Sequence, residues 1–149
     1  MMSYVLRDEE RLTIVGISDR VSNAEAQKIG DLWRRFHVMG GGSALPARLS
    51  NAVYGVYCEY EGDYTQPFTA LIGCAVAPDA AVPEGMRRIT VEAGRFAVYR
   101  PVGEMPQAVF QTWAEIWETP LARRYEADYD RYGDLYGEDG SVEIHVGVR

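Results

Sequence analysis

Hydrophobic and polar positions divide the chain into two similar runs of elements. Alternation along Arg11-Leu12-Thr13-Ile14-Val15-Gly16-Ile17 predicts a first strand. Ile29, Leu32, Trp33 and Phe36 then recur at helical spacing, so a helix with one apolar stripe is expected, stopped by Gly40-Gly41-Gly42. Ser22-Asn23-Ala24-Glu25 before it has the form of a capping box, in which hydroxyl and carboxylate satisfy free backbone N–H groups. Val53 to Tyr60 is rich in β-branched and aromatic residues, and Phe68 to Val76 repeats that character across the turn residues Glu61-Gly62-Asp63, which predicts a long hairpin.

The second run follows a connection bracketed by Pro78 and Pro83, which reads as a hinge. Arg88-Ile89-Thr90-Val91 is a short strand candidate, and Arg95 to Arg100 is a longer one. Pro106 suits the first turn of a helix, where its missing N–H costs nothing, and Val109, Thr112, Trp113, Ile116 and Trp117 mark the apolar side until Pro120. Tyr125 to Tyr132 is charged and aromatic at once and fits strand or helix. A turn at Gly137 to Gly140 leads to a final strand, in which Val142, Ile144, Val146 and Val148 form one face and Glu143, His145 and Gly147 the other.

Both halves therefore read strand, helix, strand, strand, over about 5–77 and 86–149. Trp33 aligns with Trp113 in the two helices, and Gly62-Asp63 and Gly133-Asp134 follow Tyr60 and Tyr132. Matched order plus matched tryptophans points to a duplicated unit. The fold expected is α+β: two tandem strand-helix-strand-strand modules on an antiparallel sheet, with a ligand groove at their pseudo-twofold.

Composition narrows the function classes. The 149 residues are 47% hydrophobic and 25% charged, which suits one domain over 1–149. A formal net charge of -7 argues against a nucleic-acid surface, which needs clustered Lys and Arg. No apolar run has signal-peptide or membrane-spanning length, so a cytoplasmic protein without membrane contact is expected. Cys58 and Cys74 fall in two neighbouring predicted strands, which permits a disulfide, although two buried thiols are expected. With two Cys, and with His37 and His145 far apart in sequence, no metal spacing is present and no cofactor is expected.

Glu143 is the candidate for chemistry. It is either a solvated or salt-bridged carboxylate, or the counter-ion of a cationic ligand among the chain's aromatic residues, where cation–π contacts contribute roughly 0.5–2 kcal/mol each. Tyr57 and Tyr99 share strand faces with the small residues Gly55 and Ala97, which would leave room for a ligand. Trp117 lies near its helix end and Trp113 one turn earlier; with Trp33, each reads as core or groove lining. His145, two positions from Glu143 on the same face, either tunes that carboxylate, bonds a ligand or is an edge histidine.

Tyr54-Gly55-Val56-Tyr57, Ala93 to Tyr99, Trp113 with Ile116-Trp117, Asp128-Tyr129-Asp130-Arg131-Tyr132 and Val142-Glu143-Ile144-His145-Val146 together resemble the GyrI-like effector-binding family. That family includes ligand-sensing domains of AraC- and MerR-type transcription regulators and free-standing proteins. The resemblance covers nearly the whole chain. It implies the tandem fold with its groove, and that Glu143 matches the acidic residue which meets cationic ligands in multidrug-sensing relatives. This chain has Tyr129-Asp130 where the family often has Phe-Glu, and His145 where it has a Tyr or similar ring. Nothing before Arg11 reads as a helix-turn-helix domain, so direct DNA binding is not expected.

The expected function is a stand-alone module binding hydrophobic, cationic small molecules for sensing or sequestration. An enzyme is the alternative, because some free-standing relatives resemble hydrolases of strained cyclopropanes, with Glu143 as general base on water. A protein partner, such as DNA gyrase or a separate regulator, is the third reading, since the name-giving branch resembles gyrase inhibitors.

Overall fold

A computed structural model describes residues 3–43, 45–134 and 142–149. The strands are β1 (Val5–Glu9), β2 (Leu12–Val21), β3 (Ala52–Cys58), β4 (Phe68–Ala75), β5 (Arg87–Val91), β6 (Gly94–Tyr99), β7 (Ala127–Asp134) and β8 (Val142–Gly147). Helix α1 spans Ala26–Val38 and α2 spans Gln107–Glu118. All described strands join one antiparallel sheet in the order β1-β6-β8-β7-β3-β4-β2-β5. Exchanging β1 to β4 with β5 to β8 maps that order onto its own reverse, with β3 and β7 at the centre. The expected α+β architecture of two modules is thus present. The leading strand of each half crosses over: β1 pairs with β6, and β5 with β2.

One face of the sheet carries both helices. Leu32 and Phe36 of α1 pack on Val15, Ile17, Ile72 and Cys74, while Val109 and Ile116 of α2 pack on Ala97, Tyr99, Ile144 and Val146. The other face curls on itself, so that Ile14, Ile89 and Val91 meet Phe96, Val98 and Tyr129 in one apolar cluster. This explains why the Glu143, His145 and Gly147 side of β8 is not a solvent face: His145 is 1% exposed.

Several local expectations change. β1 was not legible as a strand. The ambiguous segment 125–132 supplies β7, because its alternate residues serve two different buried faces. Ser22 forms no side-chain cap; its hydroxyl reaches the Glu25 carboxylate at 3.4 Å, and a short 3-10 turn, Asn23–Glu25, precedes α1. Pro106 stands just before α2 rather than inside it. Cys58 and Cys74 are both free and pack in different clusters, since Cys58 stands opposite Thr69 and Cys74 opposite Val15. The turn expected at Gly137 to Gly140 lies outside the described residues.

Candidate functional site

The centre of the sheet is built from one short pattern used twice. Tyr54-Gly55-Val56-Tyr57 on β3 runs antiparallel to Tyr129-Asp130-Arg131-Tyr132 on β7, with Gly55 directly opposite Asp130. Alternation sends Tyr57, Asp130 and Tyr132 to the helix-bearing face. There the helices contribute matched tryptophans: Trp33 of α1 meets Tyr132 edge-on at 5.0 Å, and Trp113 of α2 meets Tyr57 edge-on at 5.6 Å. Each tryptophan thus packs on a tyrosine from the other half. All four rings remain half-buried on the helix-bearing face.

Gly55 is small because that centre is crowded. A Cβ added there would lie 3.2 Å from the Tyr57 hydroxyl and 3.6 Å from the Trp33 ring. The space beside Gly55, expected to accommodate a ligand, is occupied by these two side chains. Two clefts, of about 510 and 780 Å³, open elsewhere, and neither is lined by Asp130 or Glu143.

Asp130 sits beneath the rings at 1% exposure. Its carboxylate accepts bonds from the Tyr57 hydroxyl at 2.7 Å, the Trp113 indole N–H at 2.9 Å and the Tyr132 hydroxyl at 3.4 Å. All three donors are neutral, and among the described residues no basic side chain pairs with it. Burial therefore dominates and raises its pKa to about 6, against the lowering effect of those hydrogen bonds. The same burial, with the nearby carboxylate, pushes the Tyr57 phenol well above its ordinary range. A buried acid supported by neutral donors under aromatic faces is an environment a desolvated cation completes.

Asp128, two positions earlier on the same face, is neutralised within the protein. It is fully buried and accepts from Arg123 at 2.7 Å, the Tyr60 hydroxyl at 2.5 Å and the Gly147 backbone N–H at 2.8 Å. The Arg123 guanidinium lies over the Tyr125 ring at 4.2 Å, with the Trp113 and Tyr60 rings at 5.9 and 6.0 Å.

Glu143 and His145 are on the opposite face, away from these rings. Glu143 bridges Arg7 of β1 at 2.8 Å and Arg100 at 2.9 Å. Burial alone would raise its pKa, but the Arg7 hydrogen bond and charge, with His145 and Arg100, leave it below the ordinary value. His145 stacks on Tyr129 at 4.3 Å, and its Nε2 lies 2.7 Å from Glu9. Burial outweighs the raising effect of Glu9 and lowers the imidazole pKa. This cluster ties β1 to β6 and β8. Arg7 and Glu9 come from β1, an unanticipated strand, so sequence spacing gave no sign of them.

The predicted site residues thus separate. Tyr57, Trp113 and Trp33 come together around Asp130. Trp117 lies further along α2, stacked on Tyr64 at 5.5 Å. Tyr99 is 1% exposed in the core under α2, where Tyr4 covers its ring. Asp130, Tyr132, Asp128 and Arg123 were missed as site residues. The repeated Tyr-x-x-Tyr spacing at 54–57 and 129–132 is the signal that marks the first two. Among the described residues no His, Cys, Asp and Glu cluster fit to hold a metal occurs, and no helix is long and apolar enough to cross a membrane.

Comparison with known proteins places this architecture. An integron cassette protein from the mobile metagenome of Vibrio cholerae is similar at 28% identity and TM-score 0.77, covering 99% of this chain and 96% of its own. A protein called SAV2435, solved bound to tetraphenylphosphonium, superposes with TM-score 0.75 at 22% identity, covering 99% of this chain and 94% of its own. A Staphylococcus aureus protein described as a putative bacterial transcription regulation protein gives 0.71 at 22% identity, covering 100% and 99%. None of the curated protein sequences matches the chain. The sequence profile of the Cass2 family matches residues 6–148, and the chain belongs to that family of integron-associated effector binding proteins, with the GyrI-like fold.

Proposed function

We propose that this protein binds lipophilic cationic small molecules in the groove between α1 and α2, as a sensing or sequestering module. Tyr57, Trp113, Trp33 and Tyr132 supply the aromatic faces, and Asp130 supplies the counter-charge. The observation that carries this reading is Asp130 itself, a buried carboxylate whose described partners are all neutral donors. Ionising it at neutral pH costs roughly 3 kcal/mol relative to an ordinary aspartate, a cost that a cation above it offsets. The tetraphenylphosphonium carried by one structural relative has the charge and aromatic bulk that such a floor suits.

The counter-ion role moves in this reading from Glu143 to Asp130. Glu143 already has two guanidinium partners, which also make it a weak general base for the hydrolase alternative. Titration of tryptophan fluorescence with tetraphenylphosphonium and with neutral triphenylphosphine oxide tests the assignment. Asp130→Asn is expected to weaken the cation at least tenfold and the neutral compound little, whereas Glu143→Gln leaves both near wild type. Equal losses for the two compounds in Asp130→Asn, or a cation-selective loss in Glu143→Gln, would contradict it.

A further inference from the structure

This floor has two buried carboxylates, and among the described residues only Asp128 is paired with a cation of the protein. Asp128 and Asp130 occupy alternate positions of β7, so their side chains leave the same face roughly 6–7 Å apart. Around Asp128 the protein has assembled what the proposed function requires of a ligand site: a buried acid and a cation held against aromatic faces. The cation is Arg123, itself 7% exposed, 2.7 Å from Asp128 and over the Tyr125 ring. Two of its donors, Nε and Nη1, are buried without a hydrogen-bond partner, so its place depends on the carboxylate and the rings. Trp113 belongs to both environments. Its indole N–H serves Asp130 while its ring faces Arg123.

We propose that Arg123 is a resident cation that fills the Asp128 half of this floor and so restricts the groove to ligands carrying a single positive charge. The inference rests on the groove and Asp130 reading above. The guanidinium cancels Asp128 and leaves one net negative charge to be matched. A second positive centre, placed at the spacing of the two carboxylates, would meet Arg123 instead of an acid. Like charges at that separation in a partly desolvated site repel strongly. Arg123 is thus a specificity residue that acts without touching a monocation over Asp130.

The test compares tetraphenylphosphonium with p-xylylene-bridged bis(trimethylammonium), a rigid aromatic dication, by tryptophan fluorescence titration. Wild type is expected to bind the dication at least tenfold more weakly than the monocation. Arg123→Gln should gain at least tenfold for the dication, and Arg123→Gln with Asp128→Asn should return to wild-type behaviour. A folded Arg123→Gln protein with no gain for the dication, or a wild type that binds both probes equally, overturns the inference. If thermal unfolding shows that Arg123→Gln does not fold, the near-isosteric Asp128→Asn decides. Leaving Arg123 uncompensated should weaken tetraphenylphosphonium at least threefold, and unchanged affinity overturns the inference. A wild type that binds neither probe instead overturns the groove reading on which it rests.

Discussion

Asp130 and Gly55 stand opposite each other in equivalent places of the two halves, and their difference gives the proposed groove its polarity. Glycine on β3 leaves room for Trp33 and the Tyr57 hydroxyl, and aspartate on β7 receives that hydroxyl. Because its pKa is raised to about 6 in the fold, Asp130 contributes stability that is fully present below the ordinary value of 3.8 and is lost as pH rises through about 6. Asp130→Asn has no such dependence. Its unfolding free energy relative to wild type should therefore shift in its favour by roughly 2 kcal/mol between mildly acidic and mildly alkaline pH, as measured by chemical denaturation. A difference between the two proteins that does not change with pH would mean that Asp130 titrates normally. The aromatic members Trp33, Trp113 and Tyr57 were legible in sequence because large rings at periodic positions must be covered somewhere. Asp130 was not, because its burial follows from strand register and from helices crossing above it.

At the level of elements, long apolar strands and amphipathic helices were readable, and charged edge elements were not. Tyr4-Val5-Leu6-Arg7-Asp8-Glu9 lacks a clean alternation, since β1 is an edge strand whose Arg7 and Glu9 pair with Glu143 and His145 across the sheet. The segment 125–132 was ambiguous for a related reason, because its charges are buried in partnership rather than exposed. Where β2 and β4 pair, Gly16 stands opposite Gly73. A Cβ on Gly73 would overlap the Val15 carbonyl oxygen, and one on Gly16 the Ile72 carbonyl oxygen, so close backbone approach requires glycine at both. Gly73→Ala should cost about 3 kcal/mol or more in chemical denaturation. Gly30→Ala, on α1 with nothing within 4 Å of the added carbon, should stabilise by about 0.5–1 kcal/mol. Equal effects at the two positions would show that the β2–β4 approach is not constrained as described.

For the molecule as a whole, the proposed groove is a product of both halves and of the strand exchange between them. Trp33 and Tyr57 come from the first half, and Trp113, Asp130 and Tyr132 from the second, so neither module alone carries the floor. Crossed β1 and β5 bind each half to the other's sheet and hold the two helices on either side of β3 and β7. The duplicated order was visible in the sequence from two aligned tryptophans. The pairing of each tryptophan with a tyrosine from the opposite half was not, because it depends on three-dimensional closure around the pseudo-twofold. The central claim joins a cation to the ionised form of one buried acid. Affinity for tetraphenylphosphonium, measured by fluorescence from pH 5 to pH 8, should rise through about 6 in wild type and stay flat and weak in Asp130→Asn. A flat wild-type profile, or the same rise in Asp130→Asn, would contradict the claim that this carboxylate is the ligand's counter-charge.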